Sequence, residues 1–296
     1  MTAALYFSHP SSLEHDPRVH SPGHPDTPER LFALQAALAE RDWLGWERRE
    51  APAAGESQLE LVHSSGHVRA IAELCAAGGG AIDADTFVGE SSFRAALHAA
   101  GAAAAMTSSL LAGEAPVGFC GVRPSGHHAE RDRAMGFCLF NNVAVGAAVA
   151  IAELGLRRVF VLDWDVHHGN GTAEIFRRRA DVLFASIHQM PLYPGSGPLQ
   201  DAGSGPGEGY TINLPVPPGS QEPLWMGLLE QVVAPAVRVF EPELVLVSAG
   251  FDAHADDPLA DCRLQTGSFV RMAASVRDLA HAAGIPLGLV LEGGYN

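Results

Sequence analysis

Residues 159–172 read VFVLDWDVHHGNGT, an apolar run that ends in Asp163, Asp165, His167 and His168. The run itself has the length and β-branched character of a buried strand. Few structural needs explain so many metal-binding or proton-handling side chains at its end. In an extended strand alternate residues share a face, so Asp165 and His167 are expected to point the same way, as two ligands of one cation must. A hydrogen-bonded structural pair is the alternative, but a carboxylate at a buried strand end then needs other donors. The stretch therefore predicts a metal site at the end of a strand.

Outward from this point, the second half of the chain alternates β-branched runs with amphipathic or Ala-rich segments, the pattern of a parallel sheet covered by helices. Strands are predicted over 117–120, 158–162, 182–187, 210–214, 244–248 and 286–291, and helices over 142–154, 221–240 and 267–283. Thr27-Pro28 supplies an N-cap followed by proline at the first helical position. Two stretches predict loops at the rim of a site: 8–26, rich in His and Pro, and 192–209, with six glycines and three prolines. No repeat or linker divides the chain, so its 296 residues predict one α/β domain over 1–296.

Composition excludes several classes. Formal charge is −15, and all 19 bases are arginine, because the chain has no lysine. Lysine-based covalent catalysis is thereby excluded. A charge of this sign repels phosphate backbones, and the arginines are scattered apart from the triplet Arg177-Arg178-Arg179, read as a solvated helix end, so nucleic acid is not expected as a partner. Mean hydropathy is +0.08, and apolar stretches break well short of the roughly 20 residues a membrane span requires, so no membrane is expected either. The start, MTAALYFSHPSSLEHD, lacks a basic segment before an apolar core. Cys75, Cys120, Cys138 and Cys262 are too scattered for a disulfide framework or a cysteine zinc site. A cytoplasmic setting is the expectation.

Four segments place chemistry at predicted strand ends, where open parallel sheets bind ligands. They are RPSGHHAE (123–130), DWDVHHGNG (163–171), SAGFDAHADDP (248–258) and LEGGYN (291–296). Asp252 taken alone is either a helix cap or a ligand; with Asp165 and His167 it completes a set of three. An Asp, Asp, His set leaves a coordination position open, which marks a catalytic divalent-metal site. His127-His128 is a polar turn in most settings, but beside a metal it reads as a proton-transfer pair.

These segments, in this order, resemble the zinc-dependent histone deacetylase superfamily, which includes bacterial histone-deacetylase-like and acetylpolyamine amidohydrolases. The resemblance runs from HPDTPER (24–30) to the end of the chain and implies the arginase-like fold, a parallel sheet of about eight strands between helices. It also implies that the family continues past residue 296 into a further helix.

Carried over residue by residue, the resemblance implies Asp165, His167 and Asp252 as ligands of Zn2+, with Fe2+ as the alternative that also suits that set. It implies His128 as general base for the attacking water, with His127 beside it as electrostatic or acid partner, oriented by Asp163. Asn170 contacts the other histidine, and Asn at that place is similar to the class II pattern. Tyr295 matches the tyrosine whose hydroxyl stabilises the oxyanion. Gly136 and Phe137 of MGFCLFNN and Tyr193 of PLYPGSG match the walls of a narrow aromatic substrate channel, Tyr193 standing where phenylalanine is more usual. Ser91 of GESSF resembles a rim serine, a helix N-cap being its other reading. Arg30 of TPERL matches an arginine that assists acetate release. A structural K+ site is implied at Asp163, Asp165, His167, Ser186 and Ile187, and a second at Phe176, Arg179, Val182 and Tyr210. His168 is read as a structural histidine.

The implied reaction is hydrolytic deacylation of acyl-lysine side chains, with acetylpolyamines or other small acyl amines as the alternative. Polyamine-specific members tend to carry an acid seven residues after the third ligand, where this chain has Leu259, which favours acyl-lysine. Glu90, Asp256 and Asp257 are candidate negative charges at the mouth, and the net −15 charge favours cationic substrates. A non-catalytic acyl-lysine binder predicts loss of a ligand, the base or the tyrosine; all are present. Homo-oligomerisation through the rim loops is left open.

Overall fold

The run at 159–163 is a strand with every residue buried, and so are most of its neighbours, because a parallel sheet covered on both faces has no side for polar residues. The computed structural model describes residues 4–296; Met1 to Ala3, the first part of the stretch inspected for a secretory signal, lie outside the described residues. In chain order the strands are β1 (Leu5–Ser8), β2 (Glu47–Glu50), β3 (Gly80–Ala81), β4 (Phe87–Val88), β5 (Val117–Cys120), β6 (Val159–Asp163), β7 (Val182–Gln189), β8 (Thr211–Val216), β9 (Leu244–Ala249) and β10 (Leu287–Leu291). Eight form one parallel sheet in the order β2-β1-β5-β10-β9-β6-β7-β8, and β3 and β4 form a small antiparallel ribbon. The four segments that carry chemistry follow β5, β10, β9 and β6, which are consecutive in space. A short radius at their carboxyl ends thus gathers residues from 123 to 296.

Each face of the sheet has its own apolar core. One packs Val161, Leu246 and Val290 against the helices Ser65–Ala76, Ser92–Leu111 and Asn142–Ala152. The other packs Phe160, Leu162, Val245 and Val247 against Trp225, Leu229, Phe269 and Met272 of the later helices. The predicted strands agree with the observed ones to within a residue or two. The predicted helix over 221–240 instead divides into Glu222–Leu228 and Ala234–Phe240, joined by a π-helical turn at Leu229–Val233. Pro235 explains the break: it has no N–H to return to the preceding turn, and the wider turn absorbs the misfit.

Candidate active site

β6 ends at Asp163, so the pleat does not extend to the ligand pair, and the alternation expected for Asp165 and His167 is not what aligns them. Two side-chain turns do. Asp163 Oδ1 accepts from Asp165 N at 3.0 Å, and Asp165 Oδ1 accepts from His167 N at 2.9 Å, which curls the chain back on itself twice. His167 Nδ1 then lies 3.1 Å from Asp165 Oδ1 and 3.1 Å from Asp252 Oδ2. The other oxygens are occupied: Asp165 Oδ2 accepts from Gly293 N at 2.8 Å, and Asp252 Oδ1 from Val166 N at 2.9 Å.

The donor set fits a divalent cation. One ring nitrogen and two carboxylates, all buried, offer ligand atoms within 4.8 Å of one another. Among the described residues no arginine pairs with either carboxylate, so the two buried carboxylates face only imidazoles, His167 between them and His127 beside Asp165. A side chain at Gly293 would place its Cβ 2.1 Å from Asp252 Oδ2, so the backbone itself closes this side of the cradle.

The histidine pair lies against it, His127 Nε2 being 3.8 Å from Asp165 Oδ1. His127 Nδ1 pairs with Asp163 Oδ2 at 3.0 Å and His128 Nδ1 with Asn170 Oδ1 at 2.7 Å. Asn170 Nδ2 donates to Glu130 Oε1 at 2.8 Å, which orients the amide so that its oxygen accepts from His128 and leaves His128 Nε2 free to take a proton. Burial opposes charge on both rings. For His127 the carboxylates of Asp165 and Asp163 outweigh burial and hold the ring well above the usual imidazole value. For His128 burial is reinforced by His127 and His167, and the ring lies well below it. Two imidazoles of opposite protonation preference thus stand side by side, with ring centroids 4.0 Å apart.

Tyr295 closes the site from β10. Its N–H donates to Asp257 Oδ2 at 2.7 Å, and its ring lies under the Arg30 guanidinium at 4.4 Å and edge-on to Phe137 at 5.7 Å. Burial holds its hydroxyl protonated, well above the usual phenol value. Arg30 donates to the carbonyls of Glu292, at 2.6 Å, and Gly294, and to Asp26 Oδ1. Tyr193 stands edge-on to His128 at 5.2 Å, its hydroxyl buried and, among the described residues, without a partner. Gly136 and Phe137 both have positive φ, 55° and 67°, and form the tight turn between Met135 and Cys138. A Cβ on Gly136 would lie 2.4 Å from His128 Cδ2 and 3.0 Å from Tyr193 Cε1, so only glycine allows this approach.

The remaining residues take varied places. Ser91 is the N-cap residue of the helix Ser92–Leu111, without a side-chain cap bond. His168 Nδ1 bonds Ser196 Oγ at 2.7 Å and so fastens the 192–209 loop. Asp163 and Ser186 pair in register across β6 and β7, with Ile187 next to Ser186. Arg179 N donates to the Phe176 carbonyl at 2.9 Å, Tyr210 O accepts from Phe184 N at 2.9 Å, and Val182 opens β7. Asp257 is not a free charge at the mouth: it is buried, and its carboxylate takes the N–H groups of Tyr295 and Leu259. Sequence reasoning also passed over Glu292, whose buried carboxylate meets Gly126 and His127, and Thr86, whose Oγ1 accepts from Phe137 N at 3.2 Å. An acid after an apolar strand was visible in LEGGYN; nothing in it pointed across to residue 126.

Comparison with known proteins gives the same outline. The family described as "Histone deacetylase domain" matches residues 24–296. The chain is 42% identical over 281 residues to "Histone deacetylase-like amidohydrolase" of Pseudomonas aeruginosa, covering 93% of this chain and 73% of that protein. It is 39% identical over 302 residues to a "Probable deacetylase" of Archaeoglobus fulgidus, covering 100% and 82%. Against "Histone deacetylase 15" of Arabidopsis thaliana the identity is 38%, but the chain spans only 54% of that protein's length. The crystal structure of the HDA15 HD domain superposes with a TM-score of 0.94 at 38% identity, covering 100% of this chain and 84% of that one. The matched region contains every strand end that contributes to the cradle and the histidine pair, and with that superposition it establishes that the chain belongs to the histone deacetylase family.

Proposed function

We propose that the chain is a metal-dependent hydrolase that removes acetyl or other acyl groups from lysine side chains. The observation that carries this reading is the cradle of Asp165, His167 and Asp252 beside two imidazoles of opposite protonation preference. Zinc is the metal of the reading, ferrous ion the other that such ligands suit. When bound, the cation supplies Lewis acidity toward the amide carbonyl and toward a water. His128, neutral, removes a proton from the attacking water through Nε2. His127, held cationic by Asp163 and Asp165, stabilises the negative charge that develops and keeps a proton close to the leaving nitrogen. Tyr295 donates its hydroxyl proton in a hydrogen bond to the oxyanion. The water oxygen bonds to the acyl carbon, the C–N bond breaks, and the amine leaves with a proton.

Phe137 and Tyr193 serve as channel walls, Leu259 and Ser91 as rim residues, and Arg30 as the group that draws acetate away. K+ ions at Asp163, Asp165, His167, Ser186 and Ile187, and at Phe176, Arg179, Val182 and Tyr210, are structural in this reading. Leu259 and the engaged Asp257 favour acyl-lysine, while the net −15 charge keeps acetylpolyamines as the second substrate class. Four free, buried cysteines suit a reducing cytoplasm, and among the described residues no helix is long and apolar enough to cross a membrane.

Turnover of an acetyl-lysine peptide and of acetylputrescine, with and without a chelator, tests the proposal. Chelation is expected to abolish activity, and Tyr295→Phe or His128→Ala to lower kcat by about a hundredfold or more. Chelator-insensitive turnover, or near-parental rates in either variant, overturns it.

A further inference from the structure

Glu292 is a buried carboxyl group without an ion-pair partner among the described residues, the nearest cationic side chain being His127, whose ring lies within 4.8 Å but outside ion-pair distance. It is 0% exposed, and among the described residues no arginine or histidine side chain forms an ion pair with it. Its partners are two backbone N–H groups and a hydroxyl: Oε2 accepts from Gly126 N at 2.7 Å and His127 N at 3.2 Å, and Oε1 from Ser248 Oγ at 3.1 Å. Burying a charge this deeply is costly, and an apolar side chain would fill the same space at less expense. What an apolar side chain cannot do is orient a peptide. The carboxylate bonds three neighbouring strand ends together: the histidine loop after β5, Ser248 in β9, and its own segment after β10.

That segment also carries Tyr295, three residues on, and is held from the other side by Arg30, which donates to the Glu292 carbonyl at 2.6 Å. Arg30 and Arg123 share Asp26 Oδ1, at 2.6 Å and 2.9 Å, and Arg123 stands at the root of the histidine loop. A closed circuit therefore runs from Glu292 to Gly126 by a hydrogen bond, along the backbone to Arg123, and by polar contacts to Asp26, Arg30 and back to the Glu292 carbonyl. Charge-assisted bonds to backbone N–H groups are short and directional, which suits them to fixing a peptide plane.

We infer that Glu292 is a positioning residue of the active site, its carboxylate setting the Gly126-His127 peptide, and with it the histidine pair that follows, in register with Tyr295 so that base and oxyanion donor meet one acyl carbon from fixed directions. The inference rests on the proton-transfer reading of the histidine pair. Misplacement of a reacting group by about 1 Å commonly costs on the order of a hundredfold in rate, so the effect belongs in kcat and not in substrate binding.

The test uses the zinc-loaded chain and the variants Glu292→Ala, Glu292→Gln and Glu292→Asp. Hydrogen exchange at the Gly126 and His127 amides is followed alongside kcat, KM, metal content and the thermal midpoint. In Glu292→Ala these two amides are expected to exchange at least about tenfold faster while the helix Ser92–Leu111 keeps its protection, and kcat to fall by about thirty- to a hundredfold with KM within about threefold and metal content unchanged. Glu292→Gln keeps an acceptor oxygen and is expected to recover kcat to within about fivefold of the parent, whereas Glu292→Asp, one methylene short, recovers less. If the alanine variant does not fold, the order Gln above Asp at equal thermal midpoint carries the test. Unchanged exchange at Gly126 and His127, or a kcat that follows the thermal midpoint instead of this order, overturns the inference. A parent protein without deacylase turnover defeats the proposed function, and the exchange result then still decides whether Glu292 holds the loop.

Discussion

Asp163 divides its two oxygens between two tasks, one curling the ligand loop through Asp165 N and the other holding His127. That division explains why the candidate ligand residues stand out in the sequence while their alignment does not. A cluster of acids and histidines at the end of an apolar run is visible in one dimension; a pair of side-chain turns that aim them is not. Asp257 and Glu292 escaped for a related reason. Both spend their charge on backbone N–H groups distant in sequence, and an acid engaged that way looks like any exposed acid until the partner is seen. Gly136 is the residue at which shape governs chemistry most directly. Gly136→Ala places a methyl carbon 2.4 Å from His128 Cδ2 on a backbone with φ of 55°, so the imidazole must move. Left-handed φ adds about 1 kcal/mol of strain for alanine, and a displaced base is expected to lower kcat by about a hundredfold. Steady-state kinetics beside a circular dichroism melt checks it; a parental kcat shows that the ring has room to adapt.

At the level of elements, the central strands were legible because both of their faces are buried, which leaves near-continuous apolar runs between polar ends. β2, with sequence ERRE, was not, because an edge strand mostly exposed to water carries charges that blunt further pairing and erase the hydrophobic signal. The helix Ser92–Leu111 carries little contrast as well, its alanine run offering no polar face to mark the period. Those alanines bring the helix close to Asn142–Ala152, where Ala103 faces Gly146 with almost no exposed surface. Ala103→Leu inserts three carbons where there is no void, and overpacking of this kind costs typically about 1–3 kcal/mol. Urea unfolding is expected to show a lower midpoint with an unchanged slope; an unmoved midpoint means that the two helices can separate without loss.

Across the whole molecule, the strand order makes a site from segments more than a hundred residues apart, and the residues that brace those segments are largely buried and titratable. His63 is one of them. Its Nδ1 faces the Glu130 carbonyl at 2.9 Å, and its Nε2 accepts from Asn141 N at 2.8 Å, where Asn141 caps the helix Asn142–Ala152 through Ala144 N. Both nitrogens are used in the neutral form, and a second proton would set an N–H against an N–H. Burial, with His67 adding to it, lowers the ring to about 4. The folded value lies below the ordinary imidazole value of about 6.5, so the unfolded chain binds the proton more readily and stability must rise with pH across that interval. The contribution is complete above about pH 6.5 and is lost progressively as pH falls toward 4, reaching on the order of 2 kcal/mol of lost stability near pH 5. Denaturant unfolding at pH of about 7.5 and about 5 measures it. His63→Gln, which does not titrate, is expected to start less stable at neutral pH and to lose correspondingly less on acidification; a variant that loses as much stability as the parent between the two pH values assigns the acid sensitivity to other groups.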